Sequence, residues 1–263
     1  TDYKGKDKDT FLRFSGGAYS TGQTSITHRN AKGNGAFGLN AMARSSEGHR
    51  FNSDDKITRT RVYVRFGNQK GRDYRLSHIL SYSDIGHPGF SSIPSFRRSQ
   101  RLSQYLQGHM FYPIRNGISM SHSIFFNTFN THYYDRNDTP EDKKEGERNY
   151  EDLNVGLRSE MLITKWPRWI CMAGMDVDWS RSQVSVFNPI YDSPEQLSLG
   201  GFVRSKYSIG NGWNFGTGLR YDYRRSDPGG NFQKRVYTNW SPKVNLTYAM
   251  QGKRAFTLAY SEG

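Results

Sequence analysis

The sequence predicts an all-β fold, antiparallel strands forming a transmembrane β-barrel. Three observations carry it. Stretches of period two follow one another with no helical pattern between them. Their connections alternate between tight turns and long polar loops. One face of many of the strands is apolar or aromatic, and the second face carries Arg, Lys, Asp, Glu, Asn and Ser at strand centres. A barrel strand crosses a membrane with only ~9–11 residues. The lack of any apolar run of about 18 residues therefore excludes spanning helices and leaves a barrel open.

The strands follow in order. Phe11 to Ser20 puts Leu12, Phe14 and Ala18 on one face, and Gln23 to Asn30 is weaker. Ala36 to Ser45 sets Phe37, Leu39, Ala41 and Ala43 against Gly38, Asn40, Met42 and Arg44. Lys56 to Gly67 sets Val62, Val64 and Phe66 against Arg61, Tyr63 and Arg65. Asp73 to Ser83 carries Tyr74, Leu76, His78 and Leu80 on one side. Arg101 to Tyr112 and Ile118 to Tyr134 flank a short turn at Arg115-Asn116-Gly117. Tyr150 to Ile163 and Trp169 to Gln183 alternate over longer spans. Leu197 to Ile209 follows. Then comes GWNFGTGLRYDYRRSD, Gly212 to Asp227, with Trp213, Phe215, Leu219, Tyr221 and Tyr223 on one parity. Val236 to Met250 and Ala255 to Ser261 complete about thirteen strands.

The loops sort by end. Lys32 to Gly35, Asn68 to Arg72, Lys165 to Arg168, Gly210 to Gly212 and Gln251 to Lys253 are short. Ser46 to Asp55, Asp84 to Gln100, Asp135 to Asn149, Ser185 to Gln196 and Ser226 to Arg235 are long and polar. Membrane barrels have short turns on one side and long loops on the other. A sandwich has no reason to sort them so.

The second face fits a watery lumen. It carries Asp176, Asp178, Arg204, Arg220 and Asp222, which would be costly in a dry core. Asp176 and Asp178 share a face as catalytic carboxylates would, but lumen-wall polarity accounts for them. His122 beside Ser119 and Ser121 lacks a distinctive hydrolase spacing. His49, His87 and His132 lack metal-ligand spacing. No catalytic site and no cofactor are expected.

Lysine plus arginine number 37 against 24 acids, a formal +13. That balance implies a polyanionic partner or an anionic membrane surface, or else a solvated excess. A single-strand nucleic-acid binder places aromatic and basic residues on one face. Here they mostly lie on opposite faces, so nucleic acid is not expected. The single cysteine, Cys171, excludes an internal disulfide framework.

Two stretches carry a resemblance. SPKVNLTYAMQGKRAFTLAYSEG, Ser241 to Gly263, resembles a hairpin of TonB-dependent outer-membrane receptors, in which Ser-Pro opens one strand and Tyr-Ser-x-Gly ends the next. LRFSGGAYSTGQTSI, Leu12 to Ile26, resembles the first barrel hairpin of that family, and LNVGLRSEM and FGTGLRYDY match its strand style. The resemblance implies that residues 1–263 are part of a 22-stranded barrel whose plug domain and remaining strands are absent from this sequence. It implies import of a scarce large nutrient, such as a ferric siderophore, haem or cobalamin, by TonB-energised transport. The implied partners are the TonB complex acting through the plug, outer-membrane lipid and lipopolysaccharide.

Two loop sites follow. Phe90, Phe96, Arg97 and Arg98 combine rings with guanidinium groups, as an anionic, partly aromatic ligand requires. Lipopolysaccharide phosphates would suit the same arginines. Cobalamin receptors of the family carry calcium-binding aspartates in early loops, which points to Asp54 and Asp55, with Asn52 beside them. A passive porin and a soluble basic β protein that binds polyanions are the alternatives.

Overall fold

The structure is a computed structural model, and it describes residues 8–67, 71–90, 93–135, 148–184, 193–229, 232–250 and 254–262. Among the described residues every regular element is a strand. They are β1 (Lys8–Gly17), β2 (Thr21–Lys32), β3 (Gly35–Ser46), β4 (Asp55–Gly67), β5 (Asp73–Gly86), β6 (Gly89–Phe90) and β7 (Ile93–Pro94). After these come β8 (Arg97–Arg115), β9 (Ile118–Asp135), β10 (Arg148–Trp166) and β11 (Trp169–Val184). The last four are β12 (Glu195–Gly210), β13 (Trp213–Asp227), β14 (Arg235–Met250) and β15 (Arg254–Ser261).

Thirteen of them form one antiparallel meander, β1-β2-β3-β4-β5-β8-β9-β10-β11-β12-β13-β14-β15. The two-residue strands β6 and β7 make a small separate hairpin between β5 and β8. Each long strand pairs with its sequence neighbours, so the sheet has edges at β1 and β15.

The sheet is not wrapped around a dry core. Ala31 and Phe202 are the buried hydrophobic residues among those described. The apolar parity faces outward instead: Val203, Leu219 and Val244 are 58%, 46% and 41% exposed. A soluble sheet hides such a face, whereas lipid satisfies it. Aromatic rings bracket this belt. Near the tight turns, Trp213 packs on Tyr248 with centroids 4.7 Å apart, and Phe66 stacks on Tyr74 at 5.0 Å. Eight residues along β13, Tyr221 packs on Trp240 at 4.6 Å. At ~3.3 Å per residue and a tilt of ~40°, the two rows stand about 20 Å apart along the membrane normal.

The turns are built for hairpins. Asn211 and Gly212 have φ of 51° and 85°, and a two-residue type I′ turn requires a positive φ at both positions. Gly33-Asn34, Asn116-Gly117 and Pro167-Arg168 also join strands by two residues. All these lie at one end of the sheet.

Several strands differ from their sequence-derived bounds at the loop end. β1 ends at Gly17, and Tyr19 and Ser20, with positive φ, make the first turn. β5 runs on to Gly86, and β8 begins at Arg97 rather than Arg101. Arg97 and Arg98 are thus strand residues. Polar residues there extend the ladder above the lipid, where no apolar face marks a strand.

Candidate functional site

Two constellations stand out, one at the loop end and one on the lumen wall. The first is built around Arg98. Its side chain is 1% exposed, although it lies close to long loops. Nε donates to Asp84 Oδ1 at 2.8 Å, and Nη1 donates to Asp54 Oδ1 at 2.7 Å. Nη2 also lies 2.7 Å from Asp84 Oδ1. Burial alone would lower the guanidinium pKa, but its hydrogen bonds to Asp54 and Asp84 outweigh this and raise it above the usual arginine value. The group is a permanent cation bound by two carboxylates.

Asn52 completes this junction. It sits in the left-handed region at φ 53°, a conformation asparagine adopts more readily than most residues. Its Nδ2 donates to the carbonyls of Ser95 and Arg97, both at 2.8 Å, and to His87 at 3.3 Å. The β3–β4 connection is thereby sewn to the segment that leads into β8. Gly86 lies against the backbone of Asn52, where a Cβ would overlap it. Outside the junction, Phe51 and Phe96 meet edge to face with centroids 4.9 Å apart.

Pairing separates the two arginines. Arg98 has the parity of Leu102 and Leu106, the lipid side, whereas Arg97 has that of Ser99, Arg101 and Ser103, the lumen side. Arg97 is exposed. The side chain of Phe90 lies outside the described residues. Of the proposed ligand group, Phe96 is half-buried against Phe51, Arg97 is exposed and Arg98 is enclosed. Asp54 and Asp55 diverge: Asp54 binds Arg98, and Asp55 pairs with Arg44 at 3.2 Å. No group of three or more His, Cys, Asp or Glu able to hold a metal occurs among the described residues. Sequence reasoning missed Asp84 as a partner of Arg98; the two residues are brought together only by the register of β5 and β8.

On the lumen wall Arg220 grips Asp176 in a bidentate pair, 2.9 Å at each contact, and reaches Asp222 from Nε at 2.8 Å. The three residues belong to β13 and β11, with β12 between them. Gly200 of β12 is what lets them meet: a Cβ there would overlap Asp176 Oδ2 and the Arg220 guanidinium. Asp178 instead accepts from Asn154 at 3.2 Å, and Arg204 lies over the Phe202 ring at 5.0 Å. The two same-face aspartates thus have separate partners. Phe202 in turn covers Gly174, and Phe125 covers Gly156. Side chains from one strand fill the space above glycines of the next, and they tile the inner wall.

An open meander with a lipid-facing belt, a charged inner wall and connections sorted by end has the architecture of an outer-membrane β-barrel wall. The sequence pattern described as "TonB dependent receptor-like, beta-barrel" matches residues 3–263. The chain belongs to that family, which is one of transport receptors and not of enzymes. Its place is the Gram-negative outer membrane.

Solved structures share the fold. The ferric-catecholate import receptor Fiu of E. coli K12, in its closed form, superposes with a TM-score of 0.77 at 10% identity, over 97% of this chain and 50% of that one. The FrpB iron transporter of Neisseria meningitidis, as apoprotein, gives 0.81 at 10%, over 97% and 45%. The copper transporter OprC gives 0.72 at 12%, over 93% and 42%. The chain spans about half the length of the structures it matches. No curated protein matches the sequence.

Proposed function

We propose that residues 1–263 are part of a 22-stranded barrel filled by a plug, and that the whole receptor imports a scarce large nutrient by TonB-energised transport. The candidate cargoes are a ferric siderophore, haem and cobalamin. The family match over nearly the whole chain carries this reading. The polar inner wall supports it, because a cargo too large for a narrow pore needs a wide, wet lumen. In the same reading, Phe96 and Arg97, with Phe90 in the same loop, capture the ligand from outside, and Arg98 holds their loop in place. Lipopolysaccharide packs against the outward face at that end. Asp54 and Asp55 would hold calcium only if Arg98 and Arg44 gave them up.

The test is uptake by cells that carry the full-length receptor as their sole candidate importer. Iron-55 siderophores, iron-55 haem and cobalt-57 cobalamin are supplied with TonB present or deleted. One cargo should accumulate, and only with TonB. Equal uptake without TonB, together with swelling of receptor-containing liposomes in small sugars, would identify a passive porin instead.

A further inference from the structure

Charge is sorted along the strands as the connections are. Within four residues of the tight turns the sequence has one acid, Asp73, and Arg65 and Arg75 both bind it. The same stretches hold Lys32, Arg72, Arg115, Lys165, Arg168 and Arg254. The long-loop end instead carries acids such as Asp54, Asp84, Glu195 and Asp227. Solvation alone has no reason to sort charge by end.

Two adjoining turns concentrate the excess. The Thr164 N–H donates to the carbonyl of Gly117 at 2.6 Å. A Cβ added to Gly117 would lie 2.6 Å from Cα of Lys165, so the β8–β9 and β10–β11 turns lie against one another. Together they carry Arg115, Lys165 and Arg168. All three are exposed, and none pairs with an acid among the described residues. Glu160, the nearest acid in sequence, is on the lumen parity and lies 3.4 Å from Arg158.

Two tryptophans stand beside these cations on the lipid parity. Trp166 pairs with Trp169, and Trp169 with Tyr207. The indole rings pack with centroids 5.6 Å apart, yet stay 47% and 44% exposed. Trp169 donates its N–H to Ser205 Oγ, whereas that of Trp166 has no acceptor among the described residues. Exposed indoles belong where hydrocarbon meets headgroups, and Lys and Arg beyond them reach phosphate. Water would satisfy the cations and leave the rings unexplained. Bare hydrocarbon would do the reverse.

We propose that the adjoining β8–β9 and β10–β11 turns seat the headgroup phosphate of an anionic phospholipid, with Trp166 and Trp169 at the level of its esters. The leaflet is the periplasmic one, because the short turns of such barrels face the periplasm. An anionic lipid surface attracts Lys and Arg within about a Debye length, and guanidinium groups bind phosphate oxygens in pairs. The proposal needs only the membrane barrel and holds whatever the cargo is.

The full-length receptor in neutral detergent is titrated with phosphatidylglycerol and with phosphatidylcholine, and bound lipid is counted by native mass spectrometry. Phosphatidylglycerol should bind about tenfold more tightly at low salt, and the preference should shrink at high salt. Joint exchange of Arg115→Gln, Lys165→Gln and Arg168→Gln should remove most of the preference. Arg115→Lys with Arg168→Lys should keep it, since the charges remain. No preference in the wild type, or the same preference in the glutamine variant, overturns the proposal. An equal loss in the lysine variant would assign the effect to turn structure and overturn it as well. So would displacement of the lipid by an equal concentration of glycerol phosphate, which would make free phosphate the ligand. Binding of polyglutamate at these residues without any lipid preference would assign them to an acidic protein partner instead.

Discussion

Nη1 of Arg98 donates to Oδ1 of Asp54 across 2.7 Å and ties the β3–β4 connection to the start of β8. The arginine is enclosed, and without Asp54 it keeps Asp84 as its one carboxylate. Asp54→Ala should destabilise this end by roughly 1.5–3 kcal/mol, the usual cost of a lost hydrogen bond to a charged group. Limited proteolysis of the full receptor, read between residues 47 and 54, checks it. Unchanged cleavage would mean that the junction does not hold the loop.

Arg97 is expected to behave differently. It is exposed on the lumen parity, so Arg97→Ala should leave the loop intact and weaken capture of the transported ligand, more at low salt than at high salt. Binding measured at two ionic strengths decides it. Equal affinity at both would remove Arg97 from the capture surface.

Val244 lies midway between the Trp240 and Tyr248 rows on the lipid parity, and Lys243 beside it faces the lumen. Val244→Arg should cost about 2–4 kcal/mol, the penalty for a cation at the bilayer midplane. Spin labels at 244 and 243 should report lipid and water respectively. The same environment at both positions would contradict the barrel sidedness.

The glycines under rings make a sharper packing test. Gly156→Ala and Gly174→Ala would each drive a methyl group into the ring above, and about 1–3 kcal/mol of overpacking is expected. Gly201→Ala is the control, because nothing lies within 4 Å of its Cβ position. Urea unfolding in bilayers should rank the control above both. Equal stability of all three would show that the rings move aside freely.

Asp227 closes the β13–β14 loop. Lys234 at 2.8 Å, and then the Gly229 N–H, hold its carboxyl below the usual aspartate value of 3.8. The folded pKa is depressed, so the contact contributes above pH ~4 and is lost as pH falls through the folded value. Proteolytic protection of this loop should drop below pH ~4 in the wild type. Asp227→Asn should show a flat profile, and a drop of the same size in that variant would assign the change to other groups.

The two-sided strands were legible because lipid imposes one period on every one of them, and residues such as Leu219 and Arg220 declare their sides by alternation alone. The loop-end residues were not. Arg98 and Gln100 stand above the lipid, so nothing apolar marks their strand. The Asp54–Arg98 contact joins residues 44 apart, and no local pattern encodes it. Asp176 and Arg220 are likewise 44 apart and meet across a glycine. Such contacts depend on register, which one sequence read alone does not fix.

The plain meander has an evolutionary consequence. Because each long strand bonds only to its sequence neighbours, the wall is a chain of interchangeable hairpins. Loss or duplication of two consecutive strands would leave every later strand running in its original direction, with its greasy side still turned outward. Loss of one strand would reverse all that follow and carry their tight turns to the cell surface. Such barrels should therefore change size in steps of two.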